Sequence, residues 1–389
     1  MTLKGKAYIA GAYEHPTRHA PDKSTALLHA ESALGALADA GLSLSDVDGY
    51  FCAADAPGAN PLWMADYLNL RLRWLDGTDA GGCSYLTHVA HATAAIAAGH
   101  CDVALVTLAG RPRSEGVSIG VNPRAAAPDR PDEPWETAFR PNIAGVYGLF
   151  ARRHMLQYGT TAEQMAWVKV SASRHAQHNA NAFLPKVVTV EDVLNSPVIA
   201  DGIHRLDCCV ITDGGGALVL VKPEIARSLS RPLVRVIGTG ETVWTQDGGY
   251  GDITRTGAEV SGPAAFAEAG VTPADIQYAS IYDNFTIMVL MQLEGLGFCA
   301  PGAAGRFAAE GNLIAGSGRL PWNTDGGGLC NNHPANRGGM TKVIEAVRQL
   351  RGEAHPAVQV PGCGLALACG PGRVLGSGHG HATVILERE

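Results

Sequence analysis

The sequence ADAGLS at residues 38–43 returns as AEAGVT at residues 267–272, which is 229 residues further along the chain. Each copy ends a helix of periodic apolar residues at a glycine and then leads, at the same offset, into Asp46-Val47 and Asp275-Ile276. Both copies lie within β-α-β patterns of similar order. The repeat therefore predicts a duplicated α/β fold. Two unrelated α/β units that share a common type of helix stop would be the alternative.

The segments around the first copy alternate between strand and helix patterns. KAYIAGAY at residues 6–13 predicts a strand, and the helix that follows has Ser24 as its expected N-cap and ends at Gly41. A second helix over 84–98 leads into the wholly apolar strand VALVTLA at 103–109. Continuous apolar strands that alternate with helices are typical of a parallel sheet that is covered on both faces.

The middle of the chain has a different composition. Residues 111–135 are rich in Pro, Arg and Asp, which predicts an excursion loop from the sheet. We expect an N-terminal half over residues 1–228, with an excursion region at about 110–205, and a C-terminal half over residues 229–389.

Composition excludes several functional classes. Of the 389 residues, 46% are hydrophobic and only 17% are charged, so global disorder is excluded and a large buried core or an oligomer is expected. The net charge of −7 argues against a nucleic-acid binder. No apolar run reaches 18 residues, so no membrane span is predicted. The N-terminus lacks a signal-peptide pattern, and a cytoplasmic location is the default expectation.

Metal and cofactor signals are weak. The nine cysteines include no C-x-x-C pair, so we expect reduced residues, most of them in the core, rather than a zinc ribbon. His88 and His91 share a helix face, but no further ligands have convincing spacing, and no metal site is predicted. The glycine runs lack the Lys and Ser/Thr of a phosphate-binding loop, so no tightly bound cofactor is expected.

Two glycine-rich segments, DGGGALVL at 213–220 and GGGLCNNHPANRGG at 326–339, resemble the thiolase superfamily. The resemblance covers nearly the whole chain. It is closest to the branch of sterol-carrier-protein and lipid-transfer-type thiolases, which includes steroid side-chain retro-aldolases. It implies an α/β, duplicated thiolase fold with five αβαβα layers, each half being a mostly parallel, five-stranded mixed sheet. It also implies a homodimer, an acyl-CoA substrate and a small zinc-ribbon/OB-fold partner protein.

The turn GGCSY at residues 81–85 resembles the segment that carries the thiolase nucleophile, a cysteine at a helix N-terminus where the thiolate is favoured. In the family, a Gly follows the nucleophile by seventeen residues and an Asp by twenty. Counting back from Gly99 and Asp102 places Gly82, rather than Cys83, at the nucleophile position. A shift of one residue rotates a helical side chain by about 100°, so Cys83 is expected to point elsewhere.

The segment IYDNF at 281–285 resembles the Asn-Glu-Ala-Phe motif of thiolases, with Tyr282 at the position of the asparagine. The retro-aldolase branch is similar in having a tyrosine there, used as an acid/base. A phenol is a poor base at its usual pKa near 10, but it can exchange a proton with a β-hydroxyl beside suitable donors. The alternative is a core tyrosine at a strand end.

The segment NNHP at 331–334 resembles the loop whose histidine activates the thiolase nucleophile and contributes to the oxyanion hole. His333 is the matching residue. The retro-aldolases carry a second tyrosine just before this His-Pro, but Asn331 or Asn332 takes its place here. This departure puts a two-tyrosine mechanism in question.

The segment VLGSGHG at 374–380 resembles the site of the second thiolase cysteine, but the matching residue is Val374, which has no acid/base chemistry. His379 and His381 flank the last strand and are expected to face solvent. The residues assigned to substrate or oxyanion contacts are Gly82, Asn331, Asn332 and Gly378, and the candidate catalytic residues are Tyr282, His333 and Cys83.

Loss of both cysteines from their aligned positions, with the histidine retained, favours retro-aldol cleavage of a β-hydroxyacyl-CoA, or its reverse. The products would be a ketone or aldehyde and acetyl- or propionyl-CoA. The first alternative is a β-ketoacyl-CoA thiolase or acyltransferase with a displaced Cys83 nucleophile. The second is a non-catalytic acyl-CoA- or lipid-binding subunit.

Overall fold

The computed structural model describes residues 2–53, 60–119, 142–244, 251–334, 338–372 and 379–389. The first half contains, in order, β1 (Tyr8–Glu14), α1 (Thr25–Ala40), β2 (Gly49–Phe51), α2 (Pro61–Tyr67), β3 (Trp74–Asp76), α3 (Ser84–Ala97) and β4 (Val103–Gly110). The excursion region adds α4 (Ile143–Tyr158), α5 (Ala162–Ala176), α6 (Val190–Leu194), β5 (Val198–Ala200) and β6 (Ile203–His204). The half closes with β7 (Gly214–Val221) and α7 (Pro223–Ala226).

The second half repeats this pattern with fewer strands in its described part. Its elements are β8 (Val234–Trp244), α8 (Ala258–Ala269), β9 (Tyr278–Ile281), α9 (Thr286–Gly295), α10 (Ala304–Ala309), α11 (Gly327–Cys330), α12 (Gly339–Arg351), β10 (Leu365–Pro371) and β11 (His379–Arg388). The proposed division at residue 228 falls between α7 and β8.

The sheet pairings confirm the duplication. In the first half β7 is antiparallel to both β1 and β4, and β4 is parallel to β2. In the second half β11 is antiparallel to both β8 and β10, and β10 is parallel to β9. One strand in each half thus opposes the others, as expected for a mixed, mostly parallel arrangement.

The repeated sequence that predicted the duplication has the same structural role in both halves. Gly41 and Gly270 are the C-caps of α1 and α8 and have left-handed φ values of 72° and 71°. The acidic residue of each copy accepts a hydrogen bond from the first strand of its half. Asp39 accepts from the Ala12 amide and Glu268 from the Thr239 amide, each at 2.9 Å. The repeat therefore attaches the C-terminal end of each helix to the first strand of its half.

The elements form the five expected layers. α1 packs on the outer face of the first half against β1, β4 and β7, and α8 covers the second half at β8 and β11. α3 and α12 lie in the middle, because each contacts strands of both halves. The apolar side chains between α3, α12 and the flanking strands form a single buried cluster.

The sheet differs from the expectation of two separate five-stranded sheets. The strands run in the order β3-β2-β4-β7-β1-β8-β11-β10-β9, with five strands from the first half and four described strands from the second. The halves join where Tyr8 of β1 pairs with Arg235 of β8. Both strands begin their halves, and their pairing covers edges that would otherwise leave backbone groups unpaired.

Two further expectations concern composition. All nine cysteines are free thiols, and eight of them are buried, so most are core residues as expected. Within the described ranges, no helix combines the length and the apolar character that crossing a bilayer requires.

A buried arginine connects the central layer to the first half. Arg351 ends α12 and donates to the carbonyl oxygens of Ile9 at 3.2 Å and Ala10 at 2.7 Å, and to the Asp39 carboxylate at 2.8 Å. The β1–β7 register shifts between Ile9 and Gly11, so Ala10 is outside the regular ladder. The arginine therefore satisfies backbone groups that the sheet leaves unpaired.

We predict that Arg351→Met lowers the free energy of unfolding by about 2–4 kcal/mol, because it leaves buried carbonyl groups without a donor. Urea denaturation of the variant measures the loss. The control is Arg255→Met, which removes a half-exposed partner of Glu259 and should change stability by less than about 0.5 kcal/mol. Equal effects of the two substitutions would contradict the role assigned to Arg351.

Candidate active site

Tyr282 follows the last residue of β9, and its side chain packs closely against three glycines. A Cβ atom at Gly82 would lie 2.3 Å from Tyr282 Cε1, and one at Gly338 would lie 2.3 Å from Cε2. A Cβ at Gly370 would lie 2.7 Å from Tyr282 Cβ. The backbone carbonyl of Tyr282 accepts a 2.9 Å hydrogen bond from Gln292 Nε2. The ring is therefore held in one orientation by surfaces that have no side chain.

His333 lies on the loop after α11 and meets Tyr282. The Tyr282 hydroxyl and His333 Nε2 are 2.6 Å apart, and the two rings stack with centroids 5.5 Å apart. The His333 amide donates to Thr212 Oγ1 at 2.9 Å, which fixes the backbone of the loop. Each of the two residues is 3% exposed. The structure thus brings together the two candidate residues that the sequence separates by 51 positions.

Burial keeps both members of this pair neutral. It raises the pKa of Tyr282 well above 10. Burial and, to a smaller extent, the positive charge of Lys342 together lower the pKa of His333 to about 4. At neutral pH the pair consists of a neutral phenol and a neutral imidazole. They share one hydrogen bond, whose donor is the Tyr282 hydroxyl or His333 Nε2, depending on the imidazole tautomer.

Asn331 and Asn332 hold the loop in place through their side chains. The Asn332 amide accepts from Thr212 Oγ1 at 2.7 Å and donates to Glu14 at 2.9 Å. The Asn331 amide accepts from Arg18 at 2.7 Å and donates to Glu14 at 3.1 Å. Both amides are therefore occupied at both ends by the protein. Neither supplies the ionisable proton that a second tyrosine would bring.

A buried ion pair involves the residue that follows Tyr282 in the chain. The sequence analysis does not predict this pair. Lys342 Nζ is 3.0 Å from Asp283 Oδ1, and both side chains are completely buried. The Asp283 carboxylate also accepts from the amides of Gly328 at 2.8 Å and Leu329 at 3.0 Å. Burial alone would lower the pKa of Lys342, but the Asp283 carboxylate raises it above its ordinary value.

Comparison with known proteins identifies the family. A model described as Thiolase C-terminal domain-like matches residues 240–388. The steroid side-chain-cleaving aldolase of Thermomonospora curvata is 36% identical over 368 residues, which cover 90% of this chain and 91% of that protein. The chain belongs to the thiolase superfamily. Its place is in the sterol-carrier and lipid-transfer thiolase-like branch.

Two more relatives support this placement. The 17-hydroxy-3-oxo-4-pregnene-20-carboxyl-CoA lyase of Mycobacterium tuberculosis is 35% identical over 372 residues, covering 90% of this chain and 92% of the lyase. The solved structure of the Ltp2–ChsH2(DUF35) aldolase superposes with a TM-score of 0.86 at 33% identity, covering 99% of this chain and 98% of that one. Aldolases and lyases of the superfamily are thus among its relatives.

The two candidates for the thiolase nucleophile position differ in their surroundings. Gly82 faces the Tyr282 ring, whereas Cys83 is buried and its thiol donates to the Ala80 carbonyl oxygen at 3.3 Å. Cβ atoms at Gly372 and Gly380 would lie 3.1 and 3.2 Å from the sulfur, so the thiol faces backbone. Burial raises the pKa of Cys83 to about 12, which opposes formation of its thiolate.

The remaining predicted residues lie in and around the last strand. Val374, Gly378 and the side chain of His379 lie outside the described residues. His381 is buried and bonds Ser261 at 2.7 Å, so the expectation that it faces solvent is wrong. Its position follows from the alternation of β11, which turns this residue toward α8.

The two helical histidines also have protein partners. His91 is 2.7 Å from Asp76 and 3.3 Å from Glu241, and His88 bonds the carbonyl oxygen of Thr78 at 2.9 Å. In the described part of the chain, no three His, Cys, Asp or Glu residues are grouped so that they could hold a metal ion.

Gly338→Ala tests the close packing of glycine residues against the Tyr282 ring. The three atoms nearest to the added Cβ all belong to the Tyr282 ring, and the φ of −60° accepts alanine. We predict a loss of about 1–3 kcal/mol of stability in the natural background, because the ring must shift. In a Tyr282→Ala background the loss should fall below about 1 kcal/mol. Urea denaturation of the four proteins gives the coupling, and additive losses would disprove the contact.

Proposed function

We propose that this protein catalyses retro-aldol cleavage of a β-hydroxyacyl-CoA, or the reverse condensation. The reaction breaks the bond between the α and β carbons, and its electron pair passes to the α carbon as the enolate of the thioester. The β carbon becomes the carbonyl of a ketone or aldehyde. The other product is acetyl- or propionyl-CoA. One relative, the M. tuberculosis lyase, is named for a carboxyl-CoA substrate, which supports a CoA thioester here.

The observation that supports this proposal most directly is the 2.6 Å contact between the Tyr282 hydroxyl and His333 Nε2. Tyr282 takes the β-hydroxyl proton as its own proton passes to the imidazole. The resulting imidazolium offsets the negative charge that develops on the enolate oxygen. The imidazolium then gives the former tyrosine proton to the α carbon of the enolate, so Tyr282 keeps the β-hydroxyl proton, both residues end neutral, and no phenolate is needed at the start.

Acyl transfer is not favoured by the surroundings of Gly82 and Cys83. A cysteine at position 82 would place its Cβ 2.3 Å from the Tyr282 ring, so a thiolase nucleophile there and this tyrosine position exclude each other. Cys83 faces backbone groups, and its raised pKa opposes formation of a thiolate. A nucleophile that must hold an acyl group has no suitable place among these residues.

The assembly of the active protein is proposed by analogy. The Ltp2–ChsH2(DUF35) structure contains an aldolase with a DUF35 partner, and this chain covers 98% of the matched chain. We propose that a partner of the same kind associates with this protein and that the chain forms a homodimer. Activity assays should therefore include the co-purified complex as well as the isolated chain.

We predict that Tyr282→Phe lowers kcat for β-hydroxyacyl-CoA cleavage by about 100-fold or more, because the ring stays and only the proton-carrying oxygen is lost. Binding of the ester, measured by calorimetry, should change by less than about threefold. Tyr278→Phe is the matched control, since it removes a different buried hydroxyl, one on β9 that accepts from the Thr324 amide at 3.4 Å and has no contact with His333 among the described hydrogen bonds. Full activity in Tyr282→Phe would overturn the proposal.

Cys83→Ala separates cleavage from acyl transfer. We predict unchanged turnover of the β-hydroxyacyl-CoA and no acyl adduct on the natural protein after incubation with β-ketoacyl-CoA esters. Mass spectrometry of the intact protein detects such an adduct. An acylated Cys83, together with loss of turnover in the variant, would instead identify a thiolase with a displaced nucleophile. Ester binding without any turnover in the complex would favour the non-catalytic subunit.

The pH profile reports on the buried pair. His333 must be neutral to accept a proton, and its pKa is lowered to about 4. The value of kcat/KM should therefore fall only as the pH approaches 4, and it should stay level through the range near 6.5 where a solvated histidine titrates. The raised pKa of Tyr282 predicts no fall on the basic side below pH 10. An acidic limb centred near 6.5 would show that the imidazole is not buried during catalysis.

A further inference from the structure

The Asp283 carboxylate lies in a concave site formed by backbone groups. Gly326 and Gly327 have φ values of 96° and 62°, and the turn they form directs the amides of Gly328 and Leu329 at the carboxylate. A Cβ at Gly327 would lie 2.2 Å from Asp283 Oδ2, so only glycine leaves space for the anion. Successive amides in such a turn form an anion-binding concavity, which here is filled by a side chain of the protein itself.

The same carboxylate joins three segments that each carry part of the site. Asp283 is the chain neighbour of Tyr282, and its amide donors belong to α11, which leads directly into the loop of His333. Its ion-pair partner Lys342 lies on α12, four residues after Gly338, the glycine that presses on the Tyr282 ring. A movement of any segment relative to the others would change the 2.6 Å contact between tyrosine and histidine.

We propose that Asp283, paired with Lys342, is a positioning residue that holds Tyr282 and His333 at hydrogen-bonding distance for the reaction. This inference rests on the proposed function. A buried ion pair is seldom more stable than apolar residues of the same shape, so stability alone does not account for it. Its three donors at 2.8–3.0 Å give fixed directions that apolar packing would not.

The kinetic test uses Asp283→Asn and Lys342→Met. We expect kcat to fall by about 100-fold while KM changes by less than about threefold, because the reacting groups move and the substrate surface does not. In a Tyr282→Phe background, Asp283→Asn should add less than about threefold, since the group it positions is already gone. If the losses of kcat from Asp283→Asn and Tyr282→Phe instead multiply in the double variant, the proposal is wrong.

Two further variants separate positioning from folding. Arg351→Met is the control, because it removes a buried charge from the same helix without contact to the Tyr282–His333 pair, and its kcat should stay within about threefold of the natural value. If a single substitution at Asp283 or Lys342 prevents folding, the double substitution Asp283→Asn/Lys342→Met removes both charges and should fold. The double variant is expected to show the same loss of kcat, and full activity would contradict the proposal.

A spectroscopic measurement is independent of activity. The chain has ten tyrosines, and labelling with 13Cζ-tyrosine gives a small set of NMR signals in which Tyr282 is assigned by its loss in Tyr282→Phe. We expect this signal to shift in Asp283→Asn and Lys342→Met and to stay in place in Arg351→Met. An unmoved signal would disprove the positioning role. A shifted signal in a protein that cleaves no β-hydroxyacyl-CoA would instead show that the proposed function is wrong while the positioning contact stands.

Discussion

The close approach of the Tyr282 ring to Gly82 is the constraint on which the site depends. The ring occupies the space that any side chain at position 82 would need. Tyr282 can therefore take this position only because residue 82 is a glycine. Gly338 and Gly370 close the same space from two further directions. With the ring fixed in this way, the Tyr282 hydroxyl oxygen is held 2.6 Å from His333 Nε2.

The duplicated architecture explains why these segments meet. α3 and α12 both lie in the central layer, and the turn before α3 and the N-terminus of α12 bring Gly82 and Gly338 to the tyrosine ring. The tyrosine itself follows a strand of the second half. The pairing of β1 with β8 joins the first half to the second. A site assembled from both halves therefore requires that the halves be rigidly joined.

Sequence reasoning predicts the parts of this structure that depend on local signals. Helix stops at Gly41 and Gly270, the buried strands and the two halves follow from periodicity and turn chemistry. Tyr282, His333 and the shift of Cys83 away from the nucleophile position came from motif resemblance, and the structure places the first two together. The ion pair of Asp283 and Lys342 was missed because nothing local in either residue's surroundings indicates a partner 59 positions away.

Other features of the structure also depend on contacts between distant residues. The roles of Asn331 and Asn332 depend on Glu14 and Arg18, which lie more than 300 positions earlier and show no pattern that links them to the loop. The join between the two half-sheets depends on which strand edges meet in space. His381 was expected to face solvent because a histidine next to glycines at a strand end gives no sign of burial, whereas its strand turns it toward Ser261. Long-range contacts of this kind are fixed by the packed fold and have no signature in a single sequence.

Burial favours a neutral relay in this site and opposes a charged nucleophile. The same lack of solvent raises the pKa of Cys83 to about 12 and of Tyr282 well above 10, and it lowers the pKa of His333 to about 4. A thiolase must stabilise a thiolate before substrate reacts, which these surroundings resist. A retro-aldol step starts from neutral groups and creates charge only as the carbon–carbon bond breaks, when an imidazolium and an enolate form side by side. In the proposed step the attraction between these opposite charges is stronger in a dry site than in water and offsets part of the cost of burying them, whereas a lone thiolate at Cys83 would have no such partner.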